Sequence, residues 1–149
     1  MYEDYSRQAL PSRKYRELLG SAICVFNSNN AFIIENILTN DETDEYDWQQ
    51  LIDRTSGELS EPVKNTITKN SNTFIAKKFS EIIGIRNRIM HSFQVAAPRG
   101  SGLSEDVDNQ ILATKYKNGK QTYITQEFLY DFIKQNGELS TELHKFRGH

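Results

Sequence analysis

The chain has 149 residues, of which 26% are charged and 37% are hydrophobic, and its net charge at pH 7 is −2. This length and composition fit one soluble globular domain. The apolar runs are too short to span a bilayer, and residues 1–5 lack the basic start and apolar stretch of a secretory signal. The single cysteine, Cys24, cannot form an internal disulfide and is predicted to be a small core residue. We therefore expect a cytoplasmic protein with no membrane contact.

The charge is unevenly distributed along the chain. Residues 1–59 hold five Lys/Arg against eleven Asp/Glu, whereas residues 60–100 hold seven against two. Residues 101–149 are nearly balanced, with six against seven. A local basic face can hold phosphates even on an acidic protein. The basic segment therefore predicts either a nucleic-acid contact or simply the solvated side of a helix.

The N-terminal part predicts a long helical region. Residues 1–11 carry no periodic pattern and are predicted to be a loose arm. Ser12 is a predicted N-cap, after which apolar residues follow helical spacing. Residues 27–30 are poor helix formers, so the pattern predicts either one helix over residues 13–39 or two helices that meet. In the continuous version Asn30 falls on the apolar stripe, which indicates either an ordinary kink or a residue that supports a functional site.

Two shorter helical segments are predicted next. The acidic run at residues 40–45 is typical of a helix start, because carboxylates suit helix N-termini. The helix that follows is predicted to end near Gly57. Its predicted inward-facing residues are Tyr46, Trp48, Leu51 and Ile52. Ser60-Glu61-Pro62 indicates another helix start, since proline is tolerated in a first turn.

The following helix, predicted to run from Asn72 or Thr73 to Phe93, carries the most unusual pattern. Its apolar face comprises Ile75, Phe79, Ile82, Ile89 and Phe93. Arg86 also falls on this face, although burying an unpaired charge is costly. Asn87 and His91 are four residues apart and share a neighbouring face. Arg86 and His91 are about 140° apart on a straight helix, so they converge only if the helix ends or a second copy supplies one of them.

The C-terminal part predicts a β-hairpin followed by a helix. Residues 94–102 read as a Pro/Gly/Ser loop. Residues 111–125 read as a hairpin around Asn118-Gly119, the strongest short turn signal, and Thr125 is a predicted cap of the last helix. A two-residue turn would pair Thr114 with Tyr123 and Ala113 with Ile124. The predicted fold class is mainly α, a helical bundle with a small β-hairpin inserted before the C-terminal helix.

The side chains of Arg86 and His91 suit RNA cleavage. RNA carries its own nucleophile, the 2′-hydroxyl, and cleavage needs a base, an acid and positive charge on the developing phosphorane. His91 can serve as base or acid, and Arg86 can hold the phosphate. Asn87 can orient the His91 ring or donate to the phosphate. No metal or cofactor is implied, because no His/Cys/carboxylate cluster has ligand spacing.

The run Arg86-Asn87-Arg88-Ile89-Met90-His91 resembles the catalytic signature of the HEPN superfamily, in which a His follows an Arg and a polar residue near a helix end. The resemblance implies one HEPN-like domain over residues 1–149 and a metal-independent endoribonuclease. It also implies a homodimer with a composite site, to which each protomer contributes Arg86 and His91. We assign Arg86, His91 and Asn87 as catalytic residues.

The same resemblance implies partners and a setting. The substrate is RNA, and we assign Arg88, Lys78 and Arg99 as substrate-binding residues from their charge and position. A toxin–antitoxin or phage-defence role is expected, with an antitoxin or defence-system protein as a further partner. Some HEPN toxins carry a Tyr two residues after the His that a partner nucleotidyltransferase modifies. This chain has Phe93 there, so that mode of control is not expected.

Two other interpretations stay open at this stage. The chain is alternatively a non-catalytic HEPN-like module that binds RNA, nucleotide or a partner protein. The motif residues also have ordinary structural explanations, since His91 near a helix C-terminus interacts favourably with the helix dipole and Arg86 can pair with an acidic residue.

Overall fold

The computed structural model describes residues 1–148, and it is mostly helical with a small antiparallel sheet before the C-terminal helix. The α-helices are α1 (Arg13–Thr39), α2 (Trp48–Ile52), α3 (Ser60–Val63), α4 (Phe74–Met90) and α5 (Gln126–Arg147). A 3-10 turn at Ser56–Leu59 precedes α3, and a π-helical turn at Lys64–Thr68 follows it. The strands are β1 (Phe93–Ala96), β2 (Gln110–Lys115) and β3 (Gln121–Ile124). The mainly α fold class predicted from the sequence is confirmed at this level.

Helix α1 is continuous, which decides between the two versions that its sequence left open. Ser12 caps it as predicted, with its Oγ accepting from the Tyr15 N–H at 3.2 Å. The weak helix former Asn29 is buried, and its Nδ2 donates to the Asn136 backbone oxygen of α5 at 2.8 Å. Asn30 accepts a hydrogen bond from the Ser56 hydroxyl at 2.6 Å. Contacts to other elements therefore stabilise the segment that local propensity disfavours.

The core lies where α1, α4 and α5 meet. Phe26 of α1 stacks on Phe79 of α4 and on Phe132 of α5, with ring centroids 6.4 and 6.3 Å apart. The first four residues of the apolar face of α4, Ile75, Phe79, Ile82 and Ile89, are buried in this core. Neighbouring helices therefore cover this apolar face within one subunit, so it does not provide surface for a dimer contact.

Helix α4 ends three residues earlier than predicted. Met90 is its last residue, and His91 is the C-cap with φ −98° and ψ 18°. The Ser92 hydroxyl donates to the Ile89 carbonyl at 2.6 Å. Phe93 therefore is not part of the helical face. It is 41% exposed and begins β1, where it pairs with Ala113. The helical spacing of Phe93 was coincidental, and part of the expected 94–102 loop is a strand.

The hairpin is present, but its register differs from the prediction by one residue. Leu112 pairs with Ile124 and Ala113 with Tyr123. The loop has three residues rather than two, and Tyr116 N–H closes it by donating to the Lys120 carbonyl at 2.8 Å. Gly119 takes a left-handed φ of +87° inside this loop, a conformation that glycine adopts without steric cost. The turn was located correctly, and the extra loop residue changes every cross-strand pair.

The segment expected to be a loose arm, residues 1–11, has no helix or strand but is attached to the rest of the molecule. The Met1 α-amino group lies 2.8 Å from the Asp106 carboxylate. The Glu3 carboxylate accepts hydrogen bonds from Arg13 and Arg16, and these lower the pKa of Glu3 to about 2. The segment is therefore less loose than the sequence indicated.

Three apolar residues are more exposed than predicted. Cys24 is exposed rather than in the core. Trp48 and Ile52 of the short helix α2 are 41% and 45% exposed, and only Leu51 of that helix is buried. The predicted inward face of α2 was too broad, because the helix spans five residues and ends well before Gly57.

Tyr15 joins α1 to the sheet. Its buried hydroxyl donates to the Ile124 carbonyl at 2.6 Å and accepts from the Leu112 N–H at 3.4 Å. Burial disfavours the charged phenolate and raises the pKa of Tyr15 to about 12.

We expect Tyr15→Phe to lower the free energy of unfolding by about 1–2 kcal/mol, because a buried hydrogen bond is lost. Urea titrations of both proteins at neutral pH measure this difference. The folded-state pKa of Tyr15 lies above its ordinary value of 10, so the wild type keeps this contribution below pH 10 and loses it as the pH rises through 12. The stability difference between the two proteins should shrink over that interval, and a constant difference would contradict the assignment.

Candidate functional site

The candidate site is built at the C-terminal end of α4, where Arg86 is partly buried at the edge of the core. The guanidinium carbon of Arg86 lies 4.8 Å from the centroid of the Phe26 ring. The Nε of Arg86 donates to Asn87 Oδ1 at 3.0 Å. The Phe26 ring and the Asn87 side-chain carbonyl together hold the guanidinium, with a cation–π contact on one side and a hydrogen bond on the other.

No carboxylate in residues 1–148 lies within ion-pair distance of Arg86. Burial alone lowers the pKa of its guanidinium below the ordinary value of an arginine. That ordinary value is so high that the group stays protonated at neutral pH. The structural explanation raised from the sequence, an ion pair with an acidic residue, is therefore not observed in this part of the chain. A partly desolvated cation without a counter-ion attracts an anion such as phosphate.

His91 lies just beyond the last residue of α4 and is exposed. Its backbone N–H donates to the Asn87 carbonyl at 3.0 Å, whereas its imidazole makes no hydrogen bond within residues 1–148. The ring is thus available for proton transfer. Asn87 does not orient that ring, because its side-chain oxygen accepts from Arg86 instead.

The structure does not join Arg86 and His91 by a hydrogen bond within the described subunit, although both lie at the end of α4. Helix α4 ends at Met90, as one of the two solutions that the sequence left open requires, but the His91 N–H still donates to the Asn87 carbonyl in the helical pattern. The helix end alone therefore does not bring the two side chains together. The other solution is a second copy of the chain.

The three predicted substrate-binding cations lie apart from one another. Lys78 is largely buried and pairs with Glu138 of α5 at 2.8 Å. Arg88 is two residues from Arg86, so it projects from nearly the opposite side of α4. Arg99 is exposed in the loop after β1 and makes no ion pair within residues 1–148. The structure therefore does not bring Lys78, Arg88 and Arg99 into one cationic cluster.

Arg88 belongs to a groove that the sequence analysis did not identify. Its guanidinium donates to the Lys115 carbonyl at 3.1 Å and lies 5.8 Å from the Tyr116 ring centroid. The groove has a volume of about 600 Å³ and lies between α4, the hairpin loop and the start of α5. The sequence does contain one indication of this groove. The spacing of Glu81, Gly84 and Arg88 places them on one face of α4. The approach of the hairpin loop to that face is a tertiary contact that local sequence did not reveal.

Residues 1–148 contain neither a predicted metal centre nor a helix that could span a membrane. No group of three or more His, Cys, Asp or Glu side chains is arranged to hold a metal ion there. In the same part of the chain, every helix is too short or too polar to cross a membrane.

Comparison with protein-family models, with curated proteins and with solved structures finds no match to this chain. The likeness of the run from Arg86 to His91 to the HEPN signature therefore stays a prediction.

We expect Arg86 to be an anion site rather than a stabilising residue. Arg86→Met should change the free energy of unfolding by no more than about 1 kcal/mol, because the lost cation–π contact is offset by relief of desolvation. Inorganic phosphate should raise the Tm of the wild type through ligand linkage and should not do so for Arg86→Met at equal ionic strength.

Lys78→Met is the matched control for this measurement. It removes a cation from the same helix that already has a carboxylate partner, so the phosphate-dependent rise in Tm should persist. A loss of more than about 2 kcal/mol in Arg86→Met would instead identify Arg86 as a structural residue. Equal phosphate responses in Arg86→Met and wild type would exclude the anion site.

Proposed function

We propose that this protein is a metal-independent endoribonuclease of the HEPN type. The observation that carries the proposal is the state of Arg86, a partly buried guanidinium with no carboxylate partner in residues 1–148. It lies at the end of the helix that His91 caps with an exposed imidazole. These two groups supply the positive charge and the proton transfer that RNA cleavage requires.

The reaction uses the 2′-hydroxyl of RNA as nucleophile. His91 takes the proton of that hydroxyl, or delivers a proton to the leaving 5′-oxygen. A bond forms between the 2′-oxygen and phosphorus, and the bond from phosphorus to the 5′-oxygen breaks. The products are a 2′,3′-cyclic phosphate and a 5′-hydroxyl end. Arg86 stabilises the extra negative charge of the phosphorane, because its guanidinium can donate two parallel hydrogen bonds to phosphate oxygens.

Asn87 acts on Arg86 in this proposal. Its side-chain oxygen accepts from Arg86 Nε, which leaves the terminal guanidinium nitrogens directed away from that bond. This positioning lowers the entropy lost when the phosphate binds. Asn87 is therefore a positioning residue, a role different from the His91 contact expected from the sequence.

A second copy of the chain completes the site in our proposal. Arg86 of one protomer acts with His91 of the partner subunit, which removes the need for both side chains to converge on one helix. The interface does not involve the apolar face of α4, which is buried. Met90 and Phe93, which flank His91, are 59% and 41% exposed and provide apolar surface for a two-fold contact.

Purified protein in EDTA should cleave single-stranded RNA and leave 2′,3′-cyclic phosphate ends. His91→Ala and Arg86→Ala should each lower the rate by about 100-fold or more, the usual effect of removing a general acid–base or an oxyanion-stabilising group. Circular dichroism and thermal unfolding of both variants check that the fold is retained. Expression of wild type and His91→Ala in a bacterial host tests for toxicity in parallel.

Two results would contradict the mechanism. Activity that disappears in EDTA and returns with Mg²⁺ would indicate metal-dependent hydrolysis. A folded wild type that binds RNA without cleaving it would support the non-catalytic binding module.

Mixing two inactive variants tests the composite site. When Arg86→Ala and His91→Ala protomers exchange at equal amounts, half of the dimers are mixed, and each mixed dimer retains one intact pair of Arg86 and His91. About a quarter of wild-type activity should return. No recovery, despite subunit exchange shown by light scattering and a tagged protomer, would place both residues of each site in one subunit.

A further inference from the structure

The groove beside Arg88 has the chemistry of a nucleobase site. Its volume of about 600 Å³ is in the range typical of small-ligand sites. It is open rather than enclosed, so a segment of a longer chain can enter and leave it. Arg88 and Glu81 of α4 form one side, Tyr116 and Lys117 of the hairpin loop another, and Phe128 of α5 a third.

The groove offers flat surfaces that suit an unpaired base. The Arg88 guanidinium lies over the Tyr116 ring and is fixed by its bond to the Lys115 carbonyl. Tyr116 and Phe128 are half-buried, so each ring keeps an accessible portion. Bases stack favourably on aromatic rings and on guanidinium planes, whereas the interior of a regular duplex does not expose them.

The groove also carries charges of both signs that do not neutralise each other. Glu81 is exposed and makes no ion pair within residues 1–148, and it lies two helical turns from Arg88 on the same face. Lys117 is exposed at the rim. A ligand with adjacent hydrogen-bond donors on one edge and adjacent acceptors on another can use the carboxylate and the cations together.

We propose that this groove binds a guanine of the RNA, an inference that rests on the proposed action on RNA. Guanine presents two neighbouring donors, N1–H and N2–H, that a carboxylate can accept together. Its O6 and N7 are two acceptors that match an arginine. Adenine has no such pair of neighbouring donors, cytosine offers a single amino group, and uracil offers a single N–H. Glu81 reads the donor edge, and Arg88 or Lys117 binds the acceptor edge or the adjacent phosphate.

The position of the groove gives this binding a consequence for cleavage. His91 follows Arg88 by three residues, which is slightly less than one helical turn. A guanine held at Arg88 therefore brings a neighbouring phosphodiester towards the end of α4, where His91 is exposed. Cleavage next to guanine is the expected specificity.

Binding of mononucleotides tests the groove without depending on catalysis. Titration of ¹⁵N-labelled wild type with 5′-GMP should shift the backbone amide signals of Gly84, Arg88, Lys117 and Asn118. The affinity for 5′-GMP should exceed that for 5′-AMP, 5′-CMP and 5′-UMP by about tenfold or more, the discrimination expected from one bidentate contact. Glu81→Gln should remove this preference. Equal affinities for the four nucleotides, or no binding at millimolar concentration, would overturn the inference.

Gly84 allows a blocking variant with a matched control. A Cβ at Gly84 meets no atom within 4 Å, so a side chain can begin there without a clash, and we expect the leucine of Gly84→Leu to occupy part of the groove. Replacing glycine within a helix should raise the Tm, while 5′-GMP binding is lost. Gly20 of α1 is equally open and does not line the groove, so Gly20→Leu should also raise the Tm and leave 5′-GMP binding unchanged. Retained binding in Gly84→Leu would place the nucleotide elsewhere and overturn the inference.

The nucleotide measurements separate this inference from the proposed catalytic function. Guanine-selective binding by a protein that does not cleave RNA would support the groove assignment and reject the catalytic proposal. Cleavage of RNA without guanine preference, by a protein that ignores 5′-GMP, would support catalysis and reject the groove assignment.

Discussion

Arg86 holds an unpaired positive charge at the edge of the core, where the Phe26 ring offers it an aromatic face and no carboxylate of residues 1–148 pairs with it. Phe26 in turn stacks on Phe79 and Phe132. The position of the guanidinium therefore depends on the packing of three helices, α1, α4 and α5. A hydrogen bond from Arg86 Nε to the side-chain oxygen of Asn87 fixes the orientation of the guanidinium on the Phe26 ring. The electrostatic feature on which the proposed chemistry depends is thus held by apolar packing from elsewhere in the sequence.

A second feature that shapes the site is the point at which α4 ends. Stopping the helix at Met90 places His91 outside the regular helix and allows Phe93 to pair with Ala113 in the sheet. The same strand β2 continues into the loop that carries Tyr116. The exposed imidazole and the groove beside Arg88 therefore both follow from the point at which one helix becomes a sheet.

The sequence predicted most helices, the caps Ser12 and Thr125, and the turn at Gly119, because these depend on neighbouring residues. It placed the start of α2 too early, at the acidic run of residues 40–45, whereas Asp47 caps that helix. It did not decide whether α1 was continuous, since the answer lies in a bond from Asn29 to the distant residue Asn136. It misplaced Phe93, because a single aromatic residue that continues the helical spacing fits the first position of a strand equally well. The register error came from one extra loop residue, which local turn signals do not specify.

The sequence predicted which residues belong to the candidate site, but it did not predict how their side chains are arranged. Arg86 and His91 were identified from spacing and chemistry, and the structure places both at the end of α4. The helical spacing placed Arg86 on an apolar face, but the pattern of a single helix does not show which neighbouring helices cover that face. Lys78 illustrates the same limit, since its partner Glu138 lies on a helix far along the chain. Lys78 was assigned to substrate binding from its charge and position, neither of which reveals this partner.

The pairing of α1 with α5 has a consequence for the order in which the molecule assembles. Asn29 and Asn136 are 107 residues apart, so their bond closes a loop that contains most of the chain. Contacts between distant residues slow folding, because the entropy of loop closure is lost before the contact forms. During synthesis, α1 must wait for α5 to be translated before Phe26 can meet Phe132. The aromatic cluster that supports Arg86 can therefore be completed only after α5 has been synthesised.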